Sequence, residues 1–503
     1  MQNSLNPLDY AVLIAYVVGT IGIGLWVGRK VRTGKDLFLA GRSLPWWAVG
    51  ISLVATDIGA TDIIGGGGGA YAHGLAIANF EWIGCVPAMI VGAFLFIPFL
   101  WRSGVTTLPE YLERRFNGSV RTASAVAWIL VMACNLGIML LASAKLMSVM
   151  FGWDLPVCVI GMALFCGLYT TTGGLAADVY TDVLQCAIMI GGCLAVAAFA
   201  ISGLGGVGPF LDKLHALRGP SHTALVLPVD TPSPFPWTGI FFGLALVLSP
   251  GYWIGNQAIV QRALGARTEY EAKASYVFGA LLKGVIPLIY AVPGLIALVV
   301  KPGLADPDMA IPTLVTGALP AGLRGLFLAA FLAALMSTVD SYLNSGSTLV
   351  TNDIYRRLYH PDADDRDLLV IGRWTTAGLA FWSIAFALVL SRFGNSGIYA
   401  VFQTLMSFFQ GPMLAILLAG ILWRRATGPG ALLGFIGGIL TAAILYALQQ
   451  AGDPPLFRIQ SPYLYYAFWS FVVALALTVA GSFLSPPEPD AKTHGLVHGG
   501  GGP

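Results

Sequence analysis

The stretch ATDIGATDIIGGGGGA, residues 55–70, lies inside a long apolar segment that begins at Trp46 and Trp47. Aspartate and glycine are both unfavourable in a membrane helix, because charge is costly at membrane depth and glycine lowers helix stability. We therefore expect the helix to be interrupted at ATDI. Carbonyl groups freed by such a break persist at membrane depth only where something satisfies them, so the stretch predicts a binding site.

The composition predicts an all-α polytopic membrane protein. Of the 503 residues, 56% are hydrophobic and only 10% are charged, whereas a soluble domain carries roughly 25% charged residues. The net charge of +2, without a basic run that contains aromatic residues, gives no indication of nucleic-acid binding. The opening MQNSLNPLDY lacks the basic region and cleavage site of a signal peptide, so we expect the first apolar segment to be retained.

Thirteen apolar segments are candidates to cross a bilayer as helices, a crossing that takes about 20 residues. These segments, spans one to thirteen, lie near residues 9–28, 46–72, 76–101, 121–152, 157–175, 178–204, 236–261, 272–300, 325–352, 368–391, 395–424, 427–450 and 461–485. With the N-terminus outside, 19 of the 27 basic residues, Arg262 among them, fall in inside loops and tail, six fall outside, and Lys145 and Lys283 lie within spans. The positive-inside rule therefore predicts an outside N-terminus and a cytoplasmic C-terminus.

A second interruption, LVLSPGYW at residues 246–253, opens span seven. Proline removes a backbone donor and clashes with the preceding turn, so we expect the helix to break or kink there. Spans two and seven are five spans apart and therefore cross the membrane in opposite directions. Paired broken helices in corresponding positions are typical of inverted-repeat secondary transporters. An ordinary kink is the alternative for either interruption taken alone.

Span nine carries a stripe of small and hydroxylated residues. Ala334, Ser337, Thr338 and Ser341 follow the spacing i, i+3, i+4, i+7 and share one helix face. This pattern is typical of close helix packing through small residues. It also supplies oxygen ligands for Na⁺, which the carbonyls of a broken helix can complete.

A different set of residues predicts binding of hydroxyl groups. Glu81, Lys283 and Gln403 offer a carboxylate, an ammonium and an amide, which together donate to and accept from several hydroxyls. Tyr252 and Trp253 offer aromatic faces that can cover a sugar ring or close a pocket. The alternatives are a structural ion pair between Glu81 and Lys283 and core packing of the two aromatic residues.

Six stretches carry a resemblance to a known family: FLAGRSLPWWAVGISLVATDIG (38–59), GLAIANFEWIG (74–84), TLPEYLERRF (107–116), TTGGLAADVYTDVLQ (171–185), GYWIGNQAIVQRAL (251–264) and NSGSTLVTNDIY (344–355). On these stretches the sequence resembles the sodium/solute symporter family, and within it the sodium/glucose or sodium/galactose cotransporters. The resemblance implies a leucine-transporter-like core with a five-plus-five inverted repeat, formed by spans two to six and seven to eleven.

This expectation divides the chain into six regions. They are an N-terminal extra helix and cytoplasmic loop (1–45), the first repeat (46–204), an extracellular loop (205–235), the second repeat (236–424), two C-terminal helices (425–485) and a tail (486–503). The tail is of low complexity and is expected to be disordered.

The resemblance also implies ion sites. The family's sodium site would comprise backbone carbonyls of span two and residues of span nine, namely Ala55, Ile58, Ala334, Ser337 and Thr338. Asp57 matches a polar position beside this site, where we expect it to support the broken helix. A second sodium site, present in some members, would comprise Asp182, Ser337, Asp340 and Ser341; an aspartate at position 340 is unusual for it.

For sugar-transporting members, the substrate positions match Glu81, Tyr252, Trp253, Lys283 and Gln403, with Tyr252 as the inner gate. Two positions depart from the pattern. Asp62, which we also assign to the substrate pocket, stands where these relatives often carry glutamine or histidine. Ser249 stands where one bacterial branch carries asparagine.

We therefore expect a Na⁺-coupled symporter that imports a sugar or related polyol by alternating access across the plasma (inner cell) membrane. A symporter of an amino acid or organic anion on the same fold is the alternative. The expected partners are Na⁺, a small polar substrate and membrane lipid, with no nucleic acid and no cofactor besides the coupling ion. A nucleophile–base arrangement, metal-ligand spacing and a phosphate loop are all missing from the sequence, so we do not expect an enzyme.

Overall fold

The computed structural model describes residues 5–29, 31–392, 398–451 and 462–498, which are mostly helical. In this part of the chain ten helices are long and apolar enough to cross a membrane, and two bent pairs bring the number to 12. A shorter apolar helix, Leu155–Gly167, corresponds to span five. The predicted all-α polytopic architecture is therefore confirmed.

The spans have the following bounds in chain order: Pro7–Gly28; Trp46–Asp57 with Thr61–His73; Leu75–Leu95; Gly118–Phe151; the segment Leu155–Gly203, which contains spans five and six; Gly239–Gly255 with Gln257–Leu264; Glu269–Val300; Leu323–Tyr359; Asp365–Leu390; Ile398–Leu422; Gly428–Gln450; and Pro462–Phe483. Spans five and six meet at Gly174, where φ is +59°. A Cβ there would lie 2.9 Å from the carbonyl oxygen of Leu37, so both backbone conformation and space require glycine.

Span nine forms the centre of the molecule. In its apolar window 94% of the residues are buried, compared with 22% for span one and 17% for span ten. Span one fixes the start of span nine, because the Asp9 carboxylate accepts the N–H groups of Gly322 and Gly325 at 2.7 and 2.8 Å. The exposed apolar faces of the outer spans are suited to contact with lipid.

Span two is interrupted at the predicted stretch. Its first half ends at Asp57, and Ile58 has an extended backbone (φ −90°, ψ 99°). The second half starts at Thr61 and is bent by 57° from the first. A Cβ on any glycine of 65–69 would lie within 3.0 Å of a neighbouring atom, so this run allows close packing of the second half.

Span seven is also broken, but not where the sequence predicted. The helix continues through Pro250 and breaks at Asn256 (φ −83°, ψ 121°), with a bend of 51°. The preceding turns, Gly239–Leu248, are π-helical, and this wider hydrogen-bonding pattern accommodates the missing N–H of proline. The Asn256 side chain accepts the N–H of Ala258 at 3.0 Å and so caps the second half.

The described part of the tail, which we predicted to be disordered, has a defined position. Asp490–Thr493 is helical, and Val497 is only 2% exposed. The Tyr111 hydroxyl donates to the carbonyl of Leu496, and the N–H of His498 donates to the carbonyl of Ile421, both at 2.7 Å. A few apolar residues within a low-complexity sequence are thus sufficient to hold it against the helix ends.

Candidate ion and substrate sites

The break in span two frees two carbonyl groups. In a continuous helix the carbonyl of Ala55 would accept the N–H of Gly59, and the carbonyl of Ile58 would accept the N–H of Asp62. Instead, the N–H of Gly59 donates to the Asp62 carboxylate at 2.9 Å. The N–H of Asp62 donates to the carbonyl of Gly59 at 3.1 Å. Both carbonyls therefore lose their helical partners and become available as ligands.

The carboxylate that supports the break is Asp62 rather than Asp57. Asp62 lies three residues after Gly59 and binds its N–H, which is one half of a capping box at the start of the second half-helix. Asp57, to which we assigned this role, forms an ion pair with Lys283. Asp57 is the last residue of the first half-helix and Asp62 lies in the first turn of the second, so the change of chain direction at Ile58 gives the two carboxylates different partners.

Thr338, in the hydroxyl stripe of span nine, lies against this break. Thr338 Oγ1 lies 3.0 Å from the position that a Cβ on Gly59 would occupy, and it donates to the carbonyl of Ala334 at 3.0 Å. The predicted sodium residues Ala55, Ile58, Ala334, Ser337 and Thr338 are all at most 2% exposed. Carbonyl and hydroxyl oxygens are the ligands that hard cations prefer, so the arrangement can hold Na⁺.

The second predicted sodium site contains an internal cation. The guanidinium of Arg262, which is fully buried, donates to Asp178 at 2.7 Å and to Ser341, and lies 3.5 Å from Asp182. Asp182 also accepts the hydroxyls of Ser52 and Ser337. Asp340, the remaining predicted member, is buried next to Ser341 in the chain.

We counted Arg262 among the basic residues of the inside loops, and that interpretation was wrong. It lies in Gln257–Leu264, the second half of broken span seven, with no exposed surface. The sequence could have indicated this position. Arg262 directly follows AIVQ (258–261), so apolar residues lie within one helical turn of it.

A cavity lies between spans two, three, seven and eleven. Of the predicted substrate residues, Asp62, Glu81, Tyr252, Trp253 and Gln403 line it, as do Asp57 and Ser249. The space open to the centres of water molecules is about 50 Å³, enough for several waters. The predicted polar and aromatic residues thus converge on one cavity.

Lys283 lies behind this cavity and does not line it. Its ammonium is fully buried, forms ion pairs with Asp57 and, at 2.7 Å, with Glu81, and lies 5.6 Å from the ring centre of Trp253. The structural ion pair that we considered as an alternative for Glu81 and Lys283 is therefore present. Lys283 fixes the orientation of two carboxylates that a substrate can contact.

Sequence reasoning missed Gln410. It lines the same cavity, is 2% exposed, and its Oε1 has no hydrogen-bond partner among the described residues. Gln410 follows Gln403 by seven residues, a spacing that places both amides on one face of span eleven. Two glutamines at this spacing in an otherwise apolar helix were the available signal.

A polar cavity between antiparallel broken helices, beside freed carbonyls, is the arrangement of an ion-coupled secondary transporter. The family model described as "Sodium:solute symporter family" matches residues 37–438, and the chain belongs to this family. It is therefore a membrane transporter and not an enzyme.

Two relatives match almost the whole length of this chain. A "Sodium/glucose cotransporter" of Vibrio parahaemolyticus is 33% identical over 516 residues, which cover 97% of this chain and 93% of the relative. A "Sodium/myo-inositol cotransporter 2" of Oryctolagus cuniculus is also 33% identical, over 98% of this chain and 79% of the relative. The resemblance to sodium/sugar cotransporters is thus confirmed.

Two solved structures share the fold. A Na⁺-coupled sialic acid symporter, described as substrate-bound and outward-open, has a TM-score of 0.83 at 21% identity, covering 96% of this chain and 99% of that protein. A nucleobase-cation-symport transporter in a closed conformation has a TM-score of 0.57 at 13% identity, covering 92% and 97%. At these identities the likeness concerns the fold alone.

Proposed function

We propose that this chain is a Na⁺-coupled symporter that carries a sugar or related polyol across the membrane by alternating access. The names of its 33% identical relatives, a sodium/glucose and a sodium/myo-inositol cotransporter, support this class. The observation that carries the proposal is the position of Asp62. The same carboxylate caps the second half of span two and lines the cavity, so it connects the ion site to the substrate site.

The proposed sodium ligands are the carbonyls of Ala55, Ile58 and Ala334 with the hydroxyl oxygens of Ser337 and Thr338. Na⁺ bound there would hold the break of span two against span nine. Coupling requires that the ion bind one conformational state more tightly than the other, because an ion with equal affinity for both shifts nothing.

We propose a stoichiometry of one Na⁺ per substrate. The guanidinium of Arg262 lies between Asp178 and Asp182 and donates to Ser341, so a cation of the chain itself occupies the place of a second ion. One Na⁺ is sufficient energetically. A potential of about 100 mV supplies about 2.3 kcal/mol per charge, and a tenfold gradient adds about 1.4 kcal/mol, together enough for roughly several-hundredfold accumulation.

The charge of the cavity argues against one alternative substrate class. Asp57, Asp62 and Glu81 contribute three carboxylates, and Lys283 contributes the one ammonium that faces them in the described residues. An organic anion would add a further negative charge to this site at membrane depth, which is costly.

We further propose the plasma membrane as location, with the N-terminus outside, from the distribution of lysine and arginine.

Uptake by the purified protein in proteoliposomes tests the proposal. We expect an inward Na⁺ gradient, but not an equal K⁺ gradient, to drive accumulation of at least one compound from a panel of labelled hexoses and cyclitols. Thr338→Ala should weaken the Na⁺ dependence. Thr441→Ala is a matched control, since its hydroxyl also donates to the carbonyl four residues earlier but lies on span twelve. Accumulation that is independent of Na⁺ would contradict the proposal.

A further inference from the structure

Among the described residues at the cavity, carboxyl groups outnumber basic groups by three to one. Lys283 bridges Asp57 and Glu81 and neutralises one of their two charges. The third carboxylate, Asp62, has only neutral hydrogen-bond donors in the described structure: the N–H of Gly59 at 2.9 Å and the hydroxyl of Thr61 at 3.4 Å. With all three acids ionised, the site carries a formal charge of −2.

Na⁺ at the proposed ion site would reduce this excess to −1. Ile58 lies four residues before Asp62, and the N–H of the next residue, Gly59, binds the Asp62 carboxylate, so an ion at the break acts on the same group. One negative charge remains without a counter-charge. A charge at membrane depth is expected to find a partner.

The other walls of the cavity are suited to a cation and to hydroxyl groups. Five aromatic side chains line it: Phe80, Tyr252, Trp253, Tyr399 and Phe402. Aromatic faces attract ammonium groups most strongly where water is excluded. They also cover the apolar face of a sugar ring, so they accept both parts of a substrate that carries an amine and a ring.

One buried polar atom at the cavity has neither a hydrogen-bond nor an ion-pair partner among the described residues. It is Oε1 of Gln410, an acceptor on a side chain that is 2% exposed. Buried polar atoms are normally paired, so this atom points to a ligand that donates a hydrogen bond. A hydroxyl group does so.

We propose that the substrate is an amino sugar or aminocyclitol, a ring that carries hydroxyl groups and one basic amine. Its ammonium binds Asp62 and brings the charge of the loaded site to zero. Its hydroxyls bind Gln403 and Gln410. This inference rests on the proposed function, because it names the substrate within the class of Na⁺-coupled polyol transport.

Competition of unlabelled amines and their neutral parents against the Na⁺-driven uptake of a labelled polyol into proteoliposomes tests this inference. Each amine is compared with its neutral parent at a pH where the amine is charged: D-glucosamine with D-glucose, D-galactosamine with D-galactose, and an aminocyclitol with inositol. We expect at least one amine to bind about tenfold more tightly than its parent. N-acetyl-D-glucosamine, which lacks the charge, and D-glucuronate, which is anionic, should lose this advantage.

Asp62→Asn provides the matched variant, because asparagine also accepts the N–H of Gly59 as a cap. In this variant the ratio of the affinity for the amine to the affinity for its parent should fall to about one. Because both affinities are measured in the same variant, its expression level does not affect the ratio. Equal binding of amines and parents in the unaltered protein would overturn the inference and leave polyol symport intact. If none of the compounds moves with Na⁺, the proposed function itself fails.

Discussion

Gly59→Ala offers a direct test of the proposed sodium site. The glycine lies in the break of span two, and a Cβ there would lie 3.0 Å from Thr338 Oγ1 and 3.4 Å from both Thr338 Cβ and Cγ2. Favourable contacts between such atoms lie at about 3.5–4.0 Å. The alanine therefore pushes the break away from span nine by several tenths of an ångström and moves the carbonyl of Ile58 relative to the threonine hydroxyl.

The size of the effect follows from the cost of overpacking. Adding a methyl group to a close-packed site costs about 1–3 kcal/mol. If this cost destabilises the ion-bound state by about 1.4 kcal/mol more than the ion-free state, the Na⁺ concentration for half-maximal uptake rises about tenfold. Because the ligands themselves are retained, we expect saturating Na⁺ to restore most of the uptake rate.

The assay is the initial rate of substrate uptake as a function of Na⁺ concentration. Gly22→Ala, on span one, is the matched control, since a Cβ there would meet nothing within 4 Å. Its Na⁺ dependence should equal that of the unaltered protein. An unchanged half-saturation concentration in Gly59→Ala, or an equal increase in Gly22→Ala, would refute the placement of the ion between spans two and nine.

Three further predictions concern the cavity and the short helix Leu108–Arg115. Gln410→Ala should raise the substrate KM several-fold with little change in Na⁺ affinity, and uptake kinetics with an unchanged KM would remove this residue from the site. Lys283→Met leaves the buried Glu81 and the partly buried Asp57 without their cation and should cost about 3–5 kcal/mol of stability; Asp57→Asn in the same chain should recover part of the lost Tm, and no recovery would argue against the pair. Partial burial raises the pKa of Glu113, but the hydrogen bonds from Arg357 and Arg121, together with the charges of both arginines, outweigh it and hold this pKa below its usual value. The stabilisation by Glu113 is therefore present at neutral pH and is lost as the pH falls through the lowered pKa, so Glu113→Gln should reduce Tm at pH 7 but not in strong acid.

The two broken spans show how far the sequence could predict the fold. The break in span two was predictable, because aspartate and glycine together in an apolar run disfavour a continuous membrane helix. The break in span seven was placed at Pro250, since proline is the strongest local signal, but π-helical turns accommodate it. Asn256 breaks the helix instead, and its role as a cap depends on the chain direction that follows.

The sequence predicted which residues form the candidate sites, but it did not predict the role of each residue. The polar residues of the cavity were found from their chemistry and from the resemblance. Which aspartate meets Lys283 depends on how spans two and eight cross, and residue spacing does not contain this information. Arg262 was missed because it lies close in sequence to the end of span seven, whereas in the structure it is fully buried beside Asp182.

The central claim is that Na⁺ and substrate move together, one for one. Initial rates of radioactive Na⁺ and labelled substrate influx, measured in the same proteoliposomes with the membrane potential clamped, test it most directly. We predict that substrate stimulates Na⁺ influx and that the ratio of the two stimulated rates is one. A ratio of two would contradict the assignment of Arg262 as the internal cation, and substrate influx without Na⁺ influx would contradict symport.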